Sequence, residues 1–291
     1  MSGFDYNTPQ VPAAPHAINK GVPLNTLLGE TAVLHLARNL QISDAKFNQK
    51  TFVNLALTGL EPLSLLQRAH HIAKAVNNSL AVDYQQSIAI LIGAMAEEKQ
   101  DTDNFGLSGM FYLPYGSFIC NHYPGLESNK NNEAGHTAQN FEMACQGILA
   151  VTKRFSAEFC IRPFLVNYRD EMLERVYSWI SDENPHVRRL CSEGTRPKLP
   201  WGINIPDFIK DPNYTLKILD ALKDDETLYV RRSVANHLGD IAKNHADTVF
   251  EICHDWLDGA SKERKWLLRH AVRYYAKKQH PEALRIRELA K

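Results

Sequence analysis

The sequence predicts an all-α chain of stacked helix pairs, and three observations predict it. Apolar residues recur three and four positions apart over long stretches, as one face of a helix requires. Strand-like alternation of apolar and polar residues is nearly absent. After Phe141 the chain echoes itself: Asn184-Pro-His-Val-Arg-Arg-Leu190 and Thr227-Leu-Tyr-Val-Arg-Arg-Ser233 share Val-Arg-Arg at a separation of 43 residues, and Ile241-Ala-Lys-Asn-His-Ala-Asp247 matches Ala276-Lys-Lys-Gln-His-Pro-Glu282 at 35. Glu158 with Arg162-Pro163 and Glu193 with Arg196-Pro197 add a third echo near 35. These periods fit helix-pair repeats of the HEAT kind. One pair cannot bury its apolar stripe alone, so neighbours must stack, and the expected architecture is a right-handed α-solenoid of HEAT-like repeats with a concave face.

Taken in order, residues 1–23 hold four of the 14 prolines and few long apolar residues, which predicts an extended arm. A single repeat domain is expected from residue 24 to 291. Thr31–Leu40, Lys50–Leu57 and Leu65–Val76 each carry the helical spacing. Asp101–Pro114 and Pro124–Asn140 are the loop candidates, the second an insertion. In Tyr229–Lys243, Val230, Val234, Leu238 and Ile241 make one stripe, with Arg231, Arg232, Asn236, Asp240 and Lys243 elsewhere. In Trp266–Lys277 the expectation is that Leu267, Ala271 and Tyr274 face inward and Arg269, His270 and Arg273 outward.

Composition narrows the function classes. With 44% hydrophobic and 23% charged residues among 291, the chain can build a sizeable core. No apolar stretch approaches the roughly 20 residues of a membrane helix, and Met1–Pro23 lacks the basic start and apolar run of a leader, so a cytoplasmic protein without membrane association is expected. The five cysteines form no C-x-x-C pair, which argues against a disulfide framework or a structural zinc site. Residues 1–150 carry 8 Lys and Arg against 12 acids, and residues 151–291 carry 25 against 21, so a polyanion should meet the second half. Signatures of zinc peptidases, P-loops, dinucleotide folds and nucleophile elbows are missing, and the histidines show no metal spacing.

Acids recur where the sequence is otherwise apolar or basic. Glu158 lies in Phe155-Ser-Ala-Glu-Phe-Cys-Ile-Arg-Pro-Phe-Leu165, where a carboxylate needs either a partner, which Arg162 one turn on can supply, or a chemical task. Glu193 precedes Gly194 and Pro197, which break the helix and leave Trp201 on a turn, where it serves as a plug over the core or as an exposed contact. The arginine pairs have an ordinary reading as helix-start residues and a functional one as phosphate contacts.

Thr152-Lys-Arg-Phe-Ser-Ala-Glu-Phe-Cys-Ile-Arg-Pro-Phe164, the Asn184–Trp201 segment and Tyr229-Val-Arg-Arg-Ser-Val-Ala-Asn-His-Leu-Gly-Asp240 resemble the AlkC branch of the HEAT-like-repeat alkylpurine DNA glycosylases. The similarity continues through Trp266-Leu-Leu-Arg-His-Ala271 and Phe111-Tyr-Leu-Pro114. The resemblance implies a monomeric repair enzyme with a concave DNA-binding face. It implies excision of cationic alkylated purines, chiefly N3-methyladenine, from double-stranded DNA without metal or nucleotide cofactor. It also implies active-site carboxylates at Glu158, Glu193 and Asp240, with Trp201 as the aromatic contact to the lesion. Arg162, Arg189, Arg196, Arg232 and Arg273 are then expected phosphate contacts. Many members of this branch continue into an immunoglobulin-like domain; no strand-rich segment is seen here, so the short form is expected. The alternative is a non-catalytic HEAT-like scaffold that binds DNA, including branched DNA, or protein.

Overall fold

A computed structural model describes residues 7–18, 20–98, 106–126 and 135–291. All regular structure among them is helical. The chain divides into two compact units, Met1–Cys160 and Ile161–Lys291.

The first unit contains α1 (Glu30–Ser43), α2 (Gln49–Leu57), α3 (Leu65–Ser79), α4 (Tyr84–Gly93), α5 (Leu113–Asn121) and α6 (Ala138–Thr152). The three stretches with helical spacing become α1, α2 and α3. Side-chain caps fix where helices begin: Asn48 accepts from Thr51 N at 3.0 Å, Asp83 from Gln86 N at 2.8 Å and Thr137 from Asn140 N at 3.1 Å, each satisfying an otherwise orphaned N–H. Helices α1 to α3 pack in sequence, α3 against α5, and α6 against α4 and α5. Leu36, Leu40, Phe52, Ile72, Phe118 and Phe141 are buried between them. Residues 7–18 form no regular element, and this segment is pinned where Gln10 and Asn39 exchange hydrogen bonds at 3.1 and 2.8 Å.

One loop expectation is corrected. Gly106–Tyr112 is a 3-10 helix that runs into α5, because Phe111, Tyr112 and Tyr115 bury as an edge-packed aromatic cluster and Pro114 suits the first turn of a helix. Residues 101–105, and 127–134 of the expected insertion, lie outside the described residues.

The second unit contains α7 (Ile161–Asn167), α8 (Arg169–Trp179), α9 (Pro185–Glu193), α10 (Pro206–Lys210), α11 (Asn213–Leu222), α12 (Leu228–Ala242), α13 (Ala246–Asp255), α14 (Lys262–Ala271), α15 (Arg273–Lys277) and α16 (Pro281–Leu289). Helix α12 packs between α9 and α14, and α8, α11 and α13 back this row. The echoes fall at equivalent joints. Both Val-Arg-Arg segments open a helix just after its cap, Asn184 for α9 and Thr227 for α12. Both His-containing segments are turns, with His245 before α13 and His280 before α16. The Glu/Arg-Pro echo does not share a register, since Arg162 sits in the first turn of α7 and Arg196 follows α9.

Val230, Val234, Leu238 and Ile241 all bury on α12 as their spacing predicts. Tyr274 does not. The helix is interrupted at Val272, which shifts the phase of the next turn; Tyr274 is exposed, and Tyr275 turns inward to donate its hydroxyl to Ala242 O at 2.8 Å.

Candidate functional site

The arginine pairs are split by the fold. Their first members tie repeat turns together: Arg188 donates to Asp182 O and Glu183 O, both at 2.9 Å, and its Nε meets Asp225 Oδ2 at 2.6 Å. Arg231 reaches back to Asp225 O. The second members have other surroundings. Arg189 lies 5.0 Å from the Tyr229 ring centroid and 3.5 Å from Glu193, whereas Arg232 is exposed.

Glu193 ends α9, Asp240 stands in the last turn of α12, and Arg196 joins them. Arg196 Nη1 donates to Glu193 Oε1 at 2.7 Å, while Nε and Nη2 both approach Asp240 Oδ2, at 2.7 and 2.6 Å. Ser233 donates to Glu193 Oε2 at 2.6 Å, and Lys243 Nζ donates to Asp240 Oδ1 at 2.7 Å. Glu193, Arg196 and Asp240 are buried, while the Lys243 side chain is 46% exposed. Burial by itself would raise the Glu193 carboxyl, but Arg189, Arg196 and the Ser233 hydroxyl outweigh it and hold Glu193 below the usual range. Burial would likewise lower the Arg196 guanidinium, and the two carboxylates overcome that and raise it. In formal charges, two carboxylates face the three cations Arg189, Arg196 and Lys243, so the network is net positive.

Beneath it, His237 is fully buried. Its Nδ1 lies 2.9 Å from Ser192 O, so Nδ1 carries the proton, and Nε2 makes no hydrogen bond among the described residues. Burial first, then Arg196, push its pKa down to about 3, so the ring is neutral at physiological pH.

A basic and aromatic edge continues on α14 and α15. Arg273 donates to His270 O at 2.7 Å and to Asn236 Oδ1 at 2.9 Å. Burial and then Arg196 lower its guanidinium, with Asp240 opposing. Trp266 stacks on His270 with centroids 4.9 Å apart, and burial, Arg273 and Arg232 push His270 down to about 4.

The other expected site residues lie as follows. Trp201 is 67% exposed at φ 66°, a left-handed conformation that costs a non-glycine residue about 1–2 kcal/mol. Glu158, in the first unit, is half-buried and accepts from Ser156 Oγ at 2.8 Å. Arg162 is 0% exposed and donates to Gly194 O, Arg196 O, Pro197 O and Ile203 O, so it presents no surface to a phosphate. The fold thus brings Glu193, Asp240, Arg189 and Arg196 together, places Arg273 beside them and turns Arg162 inward. Sequence reasoning did not single out Ser233, His237 or Lys243 as site residues. Only Lys243 left a local signal, standing one helical turn beyond Asp240.

A helical repeat chain with buried acids cross-linked by arginine defines a class, and comparison with known proteins defines the family. The model of a DNA alkylation repair enzyme family matches residues 154–275. The uncharacterized protein YhaZ of Bacillus subtilis (strain 168) is 31% identical over 262 residues, 90% of this chain and 67% of the relative. The Pseudomonas fluorescens alkylpurine DNA glycosylase AlkC, solved bound to DNA containing an abasic site analog, superposes with a TM-score of 0.78 at 30% identity, over 91% of this chain and 67% of that one. The chain belongs to the AlkC-type family of DNA alkylation repair glycosylases. Among the described residues, no helix is long and apolar enough to cross a membrane.

Proposed function

We propose that this protein is a monomeric glycosylase that binds double-stranded DNA and hydrolyses the N-glycosidic bond of cationic alkylated purines, chiefly N3-methyladenine. The observation that carries this reading is the likeness to a glycosylase over nine-tenths of the chain, with the matched segment 154–275 holding every residue proposed for the site.

Methylation at N3 makes the base a good leaving group, because it departs as a neutral molecule. Positive charge then develops on the sugar. A carboxylate held near C1′ stabilises that oxocarbenium-like charge and orients or deprotonates the attacking water. Glu158 and Asp240 are the groups proposed to act on the sugar and the water. Asp240 Oδ1 is held by a half-exposed lysine, whose ammonium a phosphate can reach. Both Glu193 oxygens are engaged by Arg189, Arg196 and Ser233, and its proposed part is to fix Arg196. The exposed Trp201 indole offers its electron-rich face to the cationic nucleotide.

The decisive experiment is release of N3-methyladenine from methylated duplex DNA in the presence of a chelator. Glu158→Gln or Asp240→Asn should lower the rate by orders of magnitude without loss of fold, and unchanged turnover in both refutes the assigned roles. The arginine cross-link between Glu193 and Asp240 favours a second reading, a non-catalytic scaffold for DNA, branched DNA or protein. Wild-type protein that binds duplex but releases no base decides for it.

A further inference from the structure

Arg162 spends a buried positive charge on backbone carbonyls. From the first turn of α7, its Nη1 donates to Gly194 O at 3.0 Å and Arg196 O at 2.7 Å, its Nη2 to Pro197 O at 3.4 Å and its Nε to Ile203 O at 2.5 Å. The first three carbonyls belong to the outgoing limb of the loop after α9 and the fourth to its return. Trp201 stands between them. The turn lies against the arginine stem, since a Cβ on Gly202 would come within 3.2 Å of Arg162 Cδ.

An apolar side chain could fill the same volume without desolvating a charge, and swaps of that kind are commonly neutral or stabilising. What an apolar plug cannot do is draw carbonyls from both limbs onto one planar group. Both products of that gathering belong to the proposed site. One is the Trp201 indole, two-thirds exposed on a left-handed residue. The other is Arg196, whose carbonyl is held by Arg162 while its guanidinium holds Glu193 and Asp240.

We infer that Arg162 is a positioning residue, which sets the Trp201 turn and the Arg196 head group together from a single clamp and touches no DNA. The inference rests on the proposed glycosylase reading for its consequence in turnover. Loss of the clamp should cost turnover at saturating DNA, since misplacing a group by about 1 Å can cost on the order of 100-fold. Grip on undamaged duplex should be retained.

The test compares Arg162→Met, Arg162→Lys, Trp201→Ala and the double variant Arg162→Met/Trp201→Ala. One arm follows the indole N–H resonances of the full chain, with that of Trp201 assigned by its loss in Trp201→Ala. In Arg162→Met the Trp201 resonance should move and narrow, while those of Trp179, Trp256 and Trp266 report an intact fold. The second arm is single-turnover release of N3-methyladenine. Arg162→Met should be slower by about 10–100-fold, and the double variant should be no slower than the worse single variant, as for residues acting as a unit. Arg162→Lys should fall between wild type and Arg162→Met, and it carries both arms if Arg162→Met does not fold. A Trp201 resonance unmoved in every Arg162 variant that folds, or losses that multiply, overturns the inference. Wild-type protein that releases no base sinks the glycosylase reading instead, and the resonance arm still decides the clamp.

Discussion

Arg196 closes on Asp240 with two nitrogens on one oxygen, Nε at 2.7 Å and Nη2 at 2.6 Å from Oδ2, across 44 residues of sequence. The geometry leaves Nη1 for Glu193 and Oδ1 for Lys243, so one buried guanidinium joins the end of α9 to the end of α12. Arg196→Met should therefore take from two buried carboxylates the partner they share, leaving Glu193 to Arg189 and Ser233 and Asp240 to Lys243, and destabilise the protein by up to about 3–5 kcal/mol. Adding Glu193→Gln and Asp240→Asn to that variant should restore most of the loss. Urea unfolding of the series measures this, and a loss under about 1 kcal/mol for Arg196→Met would mean that water already screens the network.

Trp201 separates strain from function. At φ 66° a glycine is more comfortable than any L side chain, so Trp201→Gly should be more stable than Trp201→Ala by about 1 kcal/mol, while both lose the indole. Midpoints of denaturant unfolding give the comparison. Equal stabilities would show that the turn relaxes freely and holds no left-handed strain.

Acid should weaken the fold earlier than carboxylate titration alone predicts. His237 falls from 6.5 to about 3 in the folded state, so between those values the unfolded chain binds more protons than the native one. Its contribution is complete above pH 6.5 and is lost progressively as pH falls toward 3, a swing on the order of 5 kcal/mol. His270, at about 4, acts in the same direction, discounted because it is partly solvated. Glu193 joins only below its unperturbed value of 4.5. Thermal midpoints should decline between pH 6.5 and 5, and His237→Asn, although less stable at pH 7.5, should show a flatter decline. A midpoint independent of pH across that window contradicts the buried neutral ring.

Legibility in the sequence tracked locality. Helices α1 to α3 are legible because three- and four-residue spacing is itself the packing face, and the Val-Arg-Arg echoes mark true helix starts. Asp240 stands out as an acid in an apolar and basic run, and Lys243 is visible one turn away. Arg162 is not legible as a clamp, because its partners are carbonyls that every residue carries, 32 to 41 positions distant. Ser233 and His237 reach Glu193 and Ser192 over 40 and 45 residues with no local mark. The break at Val272 carries no proline or glycine, so periodicity runs through it and places Tyr274 on the wrong face. Gly106–Tyr112 reads as a loop because glycine and aromatics cluster there, and tertiary burial of the rings overrides that composition.

The split within each arginine pair gives a prediction that composition alone cannot make. If DNA is gripped through phosphates, each lost contact should reduce the slope of log binding constant against log salt by about 0.9 for duplex DNA. Arg232 is exposed on α12, close enough to His270 and Arg273 to share one field, whereas Arg231, its neighbour, is buried with its guanidinium on Asp225 O. Arg232→Ala should therefore weaken binding to any duplex and flatten its salt dependence by about one contact, with little change in unfolding free energy. Arg231→Ala should do the reverse, destabilising the α11–α12 turn while leaving the salt slope of the folded protein intact. Fluorescence anisotropy with an undamaged duplex at about 50 to 200 mM salt, set beside urea unfolding, distinguishes them. Equal slopes for wild type and Arg232→Ala would remove Arg232 from the DNA-contacting surface, and a flattened slope for Arg231→Ala would show that the Asp225 joint opens when DNA binds.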